Sequence, residues 1–191
     1  MLRVLLVNDT NKQVGSLRTA LVQAGCEVVE EVSSALMIPK RVAELKADIV
    51  IIDTESPSRD VLEQICVMTQ DAPHPIVMVS EDTQPAAIKA AIKAGVSAYV
   101  VEDIDAGRLS AVLEVAQARF EQDQALMSQI RQAESKLNER KVVERAKGLL
   151  MQLRSMNESE AYHAMRKMAM DRNIRIIDVA QKLLAMNELL A

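Results

Sequence analysis

Ile49-Val50-Ile51-Ile52-Asp53 decides how this chain folds. Four consecutive β-branched apolar residues cannot be a half-solvated strand, because successive side chains point to opposite faces; both faces must be covered. Four other stretches share this character. Leu2-Arg3-Val4-Leu5-Leu6-Val7 is stopped by Asn8-Asp9, and Glu27 to Val32 follows it. Pro75 to Val79 ends at Ser80, and Ala98 to Val101 ends at Glu102. Between them lie segments of helical period. Val14, Leu17, Leu21 and Val22 share one spacing and stop at Gly25; Ala35 to Leu45 carries Pro39 in its first turn. Asp60 to Thr69 and Gln84 to Ala94 complete the set, the latter stopped by Gly95. Five strand–helix units in about 105 residues predict an α/β, flavodoxin-like, doubly wound (βα)5 domain. Sites in such sheets form at the carboxyl ends of strands, here Asn8, Asp9, Asp53, Ser80 and Glu102.

Beyond Asp105 the pattern changes. From Ala106 to about Leu153 there is no proline, and Gly107 and Gly148 are the only glycines. Leu109, Leu113, Ala116, Phe120, Asp123, Met127, Ile130, Glu134 and Leu137 follow a 4-3 alternation, a heptad seam with Asp123 and Glu134 as polar interruptions. A long linking helix that dimerises as a coiled coil is expected; the alternative is a helix laid back on its own sheet. The tail predicts two further helices. Asn157-Glu158-Ser159-Glu160 has capping-box spacing and opens a helix carrying Tyr162, Met165, Met168 and Ala169. Ile177, Ala180, Leu183 and Leu184 mark the last one. With Val142, Ala146, Leu149, Leu150 and Leu153 upstream they would make a three-helix bundle, with Tyr162 in its core. The expected organisation is an α/β domain over 1–120, a linking helix over 106–140 and a helical module over 130–191.

Composition excludes several classes. Of 191 residues 49% are apolar and 26% charged, enough to build a core and too ordered a mixture for disorder. Cys26 and Cys66 are too few for a disulfide framework. Leu5 to Val7 run into Asn8-Asp9 without a leader pattern, and no apolar run approaches a membrane span, so a cytoplasmic protein is expected. The net charge of −4 is uneven: residues 140–191 hold ten Lys or Arg against six Asp or Glu, while 1–139 hold thirteen against twenty-one. A basic tail on an acidic body suggests an anionic partner, or docking on its own acidic domain. With no Trp, two Tyr and one Phe, a multi-base stacking platform is excluded. No glycine-rich nucleotide loop is present. His74 and His163 lack metal-ligand spacing, and no nucleophilic triad can be drawn, so no enzymatic activity is expected.

At the strand ends, Asp9 and Asp53 belong to strands expected to be neighbours. Two such carboxylates can share Mg²⁺ with a phosphoryl donor, with Asp53 as nucleophile and Ser80 bonding the new phosphate. The lysine that would pair with that phosphate is replaced by Glu102, a repulsive charge.

These residues carry a resemblance. Val4-Leu5-Leu6-Val7-Asn8-Asp9, Ile49 to Asp53, Ile76-Val77-Met78-Val79-Ser80 and Ala94-Gly95-Val96-Ser97-Ala98-Tyr99 resemble a response-regulator receiver domain. Asn8 stands where the first acid is usual, and Glu102-Asp103 where lysine and proline are usual. Residues 139–151, with Ala146-Lys147-Gly148-Leu149-Leu150-Met151, then Glu160-Ala161-Tyr162 and Asp178-Val179-Ala180, resemble an ANTAR domain, the RNA-binding module of certain antiterminators. Leu6-Val7-Asn8-Asp9-Thr10 and Ile52-Asp53-Thr54-Glu55-Ser56-Pro57 are similar to the NasT group, antiterminators of nitrate and nitrite assimilation operons. The resemblance implies binding of structured leader-RNA hairpins and a NasS-like nitrate/nitrite sensor that holds the regulator until the anion arrives. It implies release rather than phosphotransfer, with Asp53 only phosphoacceptor-like. No cofactor is expected, Mg²⁺ at Asp9 and Asp53 entering only if the receiver site works. The cations expected to meet RNA are Lys141, Arg145, Lys147, Arg166, Lys167, Arg172 and Arg175. Gly148 would permit close helix packing or close approach of a phosphate. A phosphorylation-activated regulator and a protein-interaction adaptor are the rival expectations.

Overall fold

The computed structural model describes residues 1–9, 15–34, 37–101 and 105–190. Five strands, β1 (Leu2–Asp9), β2 (Cys26–Val32), β3 (Ile49–Thr54), β4 (Ile76–Ser80) and β5 (Ala98–Val101), form one sheet in the order β2-β1-β3-β4-β5, every pair parallel. The helices between them are α1 (Gly15–Gln23), α2 (Ile38–Leu45), α3 (Arg59–Asp71) and α4 (Pro85–Ala94). This is the expected flavodoxin-like order.

The continuous apolar strands are explained by two cores. Leu5, Val7, Val50, Ile52, Ile76 and Met78 point to one face and pack under α2, α3 and α4. Val4, Leu6, Ile49, Ile51, Val77 and Val79 point to the other and pack under α1 and the start of α5 (Ala106–Arg154). Pro39 lies in the first turn of α2, where its missing N–H leaves no helical bond unmade. Gly95 ends α4 at φ 113°, and a Cβ there would sit 2.5 Å from Thr69 Oγ1, so both backbone and neighbour demand glycine.

The inward stripe of α1 is Leu17, Ala20 and Leu21; Val22 is 57% exposed, because it lies about 100° around the helix from Leu21. Val14, Ala35 and Glu102 fall outside the described residues.

The chain divides into two compact units, Met1–Gln124 and Ala125–Ala191, with α5 contributing to both. In the first unit the opening of the heptad seam behaves as a helix laid on its own sheet: Leu109, Leu113 and Ala116 are buried in its core. That part of the seam cannot meet a second chain. In the second unit Met127, Ile130 and Leu137 of the same seam are exposed.

The second unit packs the end of α5 against α6 (Glu158–Asp171) and α7 (Ile176–Leu190). Its centre is small: Ala146, Ala161, Ala169 and Ala180 let the helices approach, with Met165, Leu150 and Val179 filling between them. Asn157 caps α6 through Oδ1, which accepts from Glu160 N at 2.9 Å, while Glu160 Oε2 accepts from Asn157 N at 2.9 Å. This reciprocal capping box is the one read from the sequence. Leu153, expected inside the bundle, is 67% exposed in the last turn of α5.

Candidate nucleic-acid interface

The strand ends of the first unit come together as the topology requires. Asn8 stands opposite Asp53, Asp9 opposite Thr54, and Thr54 opposite Ser80. Asp9 is exposed and Asp53 half-buried. These are the two carboxylates Mg²⁺ would use; among the described residues no group of three His, Cys, Asp or Glu forms around any point. Ser80 Oγ donates to the Glu55 carbonyl at 3.0 Å and accepts from Asp82 N at 3.2 Å. Its proton is therefore engaged by the β3–α3 loop.

Asp82 organises this end of the sheet, although sequence reading passed over it. Its carboxylate accepts from Ser56 Oγ at 2.7 Å and from Gln84 N at 2.9 Å, and its carbonyl accepts from Tyr99 Oη at 2.9 Å. The Ser56 hydrogen bond, then the Gln84 N–H, hold its carboxyl below the usual carboxylate range.

In the second unit the expected cations separate into two kinds. Lys141 and Arg145 on α5, Arg166 and Lys167 on α6, and Arg172 at its end are exposed, with no carboxylate within 4 Å among the described residues. Lys147 differs. Its side chain is only 10% exposed, and its Nζ lies between Glu144 on its own helix and Glu158 on α6, the latter at 2.8 Å. The Glu144 bond, then the Glu158 bond, raise its pKa, and Lys147 in turn lowers that of Glu158. Unlike the other expected RNA-facing cations, Lys147 is already claimed by two carboxylates, and it ties α5 to the first turn of α6. Gly148 is likewise not required by packing, since a Cβ there would meet nothing within 4 Å. Arg175 is exposed but shared, 3.3 Å from Asp178 and 3.8 Å from Glu139.

Two open grooves adjoin on this bundle. One, of about 660 Å³, is lined by Lys136, Arg140, Arg175 and Tyr162 together with the carboxylates Glu139 and Glu144, and by the apolar Val143, Ile176 and Ile177. The other, of about 570 Å³, runs from Tyr162 past Arg166 to Asn173 over Ala169 and Ile174. Tyr162 stands on both. It is 43% exposed rather than in the core, because Ala161, Met165 and Ala169 form the inward stripe and turn it aside. Its ring meets His163 edge-on, centroids 6.4 Å apart. Lys136, Arg140, Tyr162 and Asn173 were not among the expected contacts. The i,i+4 spacing of Tyr162 and Arg166 was the signal that could have found this face. Lys141, Arg145 and Lys167 line neither groove, and Arg172 lies on a third, smaller one beside Lys182.

The chain matches the response regulator receiver domain family over residues 4–114 and the ANTAR domain family over 131–184. It therefore belongs to the response regulators in which a receiver domain is followed by an ANTAR domain. A relative along nearly the whole length is the transcriptional regulatory protein PdtaR of Mycobacterium tuberculosis, 31% identical over 95% of this chain and 89% of its own. The nitrate regulatory protein of Klebsiella oxytoca is 42% identical over 66 residues, 35% of this chain and 17% of its own. For the sheet domain, the signal receiver domain of a modulated diguanylate cyclase from Desulfovibrio desulfuricans G20 superposes with a TM-score of 0.55 at 19% identity, covering 63% of this chain and 97% of that one, a likeness of fold. Among the described residues no helix is long and apolar enough to cross a membrane.

Proposed function

We propose that this protein is a cytoplasmic transcription antiterminator of nitrate and nitrite assimilation genes, binding leader-RNA hairpins through its C-terminal bundle. The observation that carries this reading is the set of exposed cations, without an ion-pair partner among the described residues, on a bundle of the ANTAR family: Lys141, Arg145, Arg166, Lys167 and Arg172, with Arg140 and Lys136 beside Tyr162. Charge left without an internal partner on a rigid helical face is suited to phosphates. A pairwise arrangement through the exposed stripe Met127, Ile130 and Leu137 would let two bundles engage two hairpins, raising avidity through effective concentration.

Control is by release from a NasS-like nitrate/nitrite sensor rather than by phosphotransfer. Glu102 in the usual lysine position and the engagement of Ser80 with Glu55 both weigh against a stable phosphate on Asp53. Mg²⁺ at Asp9 and Asp53 belongs to the scheme only if phosphate transfer occurs.

The test is binding of the full chain to a nitrate-assimilation leader RNA across a salt series, beside matched duplex DNA. Salt-dependent binding to the RNA, weakened in Lys141→Ala/Arg145→Ala, supports the reading. Equal affinity for the DNA, or none for the RNA by a protein shown to be dimeric, removes it. A stable adduct from acetyl phosphate and Mg²⁺, absent in Asp53→Asn and altering RNA affinity, would instead favour control by phosphorylation.

A further inference from the structure

We propose that the cleft between the end of α6 and α7 is a docking site for an acidic, amphipathic protein segment. The segment seats one large apolar side chain among Met168, Leu183 and Met186 and sets its carboxylates against Arg172 and Lys182. The cleft shares Ile174 with the groove at Asn173 and none of the groups around Tyr162. The proposal does not depend on the RNA reading.

The way α6 ends builds the cleft. Asn173 takes the left-handed conformation at φ 51°, and the next N–H, that of Ile174, donates to the Ala169 carbonyl at 3.0 Å. The turn brings Ile174 against the bundle core, beside Met168 on α6 and Val179 on α7. The space left is about 100 Å³. A small-molecule site takes roughly 300–1,000 Å³, so this cleft has room for a single side chain. Methionine suits such a socket, because an unbranched chain with a polarisable sulfur repacks around a guest. Met186 is 60% exposed, an apolar side chain left uncovered beside the cleft.

The rim selects the charge of the partner. Arg172 and Lys182 line the cleft, are exposed, and make no ion pair among the described residues; no carboxylate of those residues lines it. The carboxylate one turn before Lys182 on α7, that of Asp178, is held by Arg175. Its Oδ1 accepts from the guanidinium at 3.3 Å and its Oδ2 from the Arg175 N–H at 3.1 Å. Both rim cations therefore keep their charge for an incoming group. A basic segment is repelled, and a small anion or a phosphate answers the cations but leaves the apolar socket empty. An acidic segment with one apolar anchor answers both, the anchor supplying affinity and the rim charges orientation and rate. Two helices flank the cleft, a geometry in which a third can lie.

The experiment uses the full chain and a fluorescein-labelled helical peptide with one leucine flanked on each side, one turn away, by glutamate; binding is read by anisotropy. Serine in place of the leucine should weaken binding about tenfold to hundredfold, the loss of one buried leucine side chain. Arg172→Glu/Lys182→Glu should lose the acidic peptide and bind instead a counterpart with lysines for its glutamates, an exchange that an unfolded variant could not show. Met186→Gln should weaken the leucine peptide and leave the serine peptide unchanged. Lys182→Glu alone should bind a leader hairpin as wild type does. Equal binding of the leucine and serine peptides, or failure of the charge exchange, overturns the proposal, as does no binding by wild type at about millimolar peptide. A Lys182→Glu protein that loses hairpin affinity in step with peptide affinity assigns the cation to RNA, and one whose sedimentation changes assigns the cleft to a second copy; either result overturns the acidic partner.

Discussion

Leu113 and Met127 belong to one seam on one helix, yet Leu113 is 3% exposed and Met127 54%. The first half of α5 closes one face of the receiver sheet, its leucines filling the space over Leu6, Ile51 and Val77. Further along, Met127, Ile130 and Leu137 present the same period to solvent. The two halves differ in what covers them, not in pattern. Apolar residues at this spacing state that a face is to be buried; the neighbour that buries it is settled elsewhere in the chain.

The sharpest way to break that contrast is to cut each half alike. Leu113→Ala should lower the stability of the receiver unit by about 2–5 kcal/mol, the range for deleting a buried leucine side chain, measured by chemical denaturation. Met127→Ala should leave that transition within about 0.5 kcal/mol of wild type. Equal losses would mean that the second half is packed within the chain after all.

The next effect is on assembly. Met127→Asp with Ile130→Asp should convert a dimer to a monomer in sedimentation and lower affinity for a two-hairpin leader by about tenfold or more, leaving single-hairpin affinity unaltered. A monomeric wild type at assay concentration would overturn the pairing through this stripe. A smaller change of opposite sign is expected from Glu134→Leu, which replaces a polar seam residue and should tighten the dimer.

Legibility followed the same division. The five strands could be read because burial on both faces leaves continuous apolar runs, as in Ile49 to Ile52. The seam could be read too, but its first three residues serve the sheet, and no spacing rule distinguishes a sheet from a second helix. Tyr162 was misplaced because 162-165-169 and 161-165-169 are both helical stripes; the core selected the small Ala161 so that helices could approach. Asp82 was invisible because its partners come from two loops and a strand, Ser56, Gln84 and Tyr99. Half of the Lys147 clasp was local, since Glu144 is three residues away on one helix. Glu158 lies eleven residues on, beyond a turn, and only folding brings it to 2.8 Å.

That clasp gives the smallest expected effect, and the one that separates a structural cation from a ligand-facing one. Lys147 is raised by Glu144 and Glu158, so its contribution is complete below the ordinary lysine range and is lost as pH rises through its raised value. Glu158 is lowered by Lys147, so its contribution is present above the ordinary carboxylate range and is lost as pH falls through its depressed value. Both are in force at neutral pH. Glu158→Gln should therefore melt below wild type by at most a few degrees at neutral pH, the difference vanishing in acid; it is small because both carboxylates face solvent. Lys147→Ala should lower the melting temperature similarly and reduce RNA binding only as far as it reduces the folded fraction. Arg166→Ala should do the reverse, weakening RNA binding with no change in melting. A Lys147→Ala protein that melts as wild type does but no longer binds RNA would return Lys147 to the interface and break the distinction between charge that is paired within the bundle and charge that is left for a ligand.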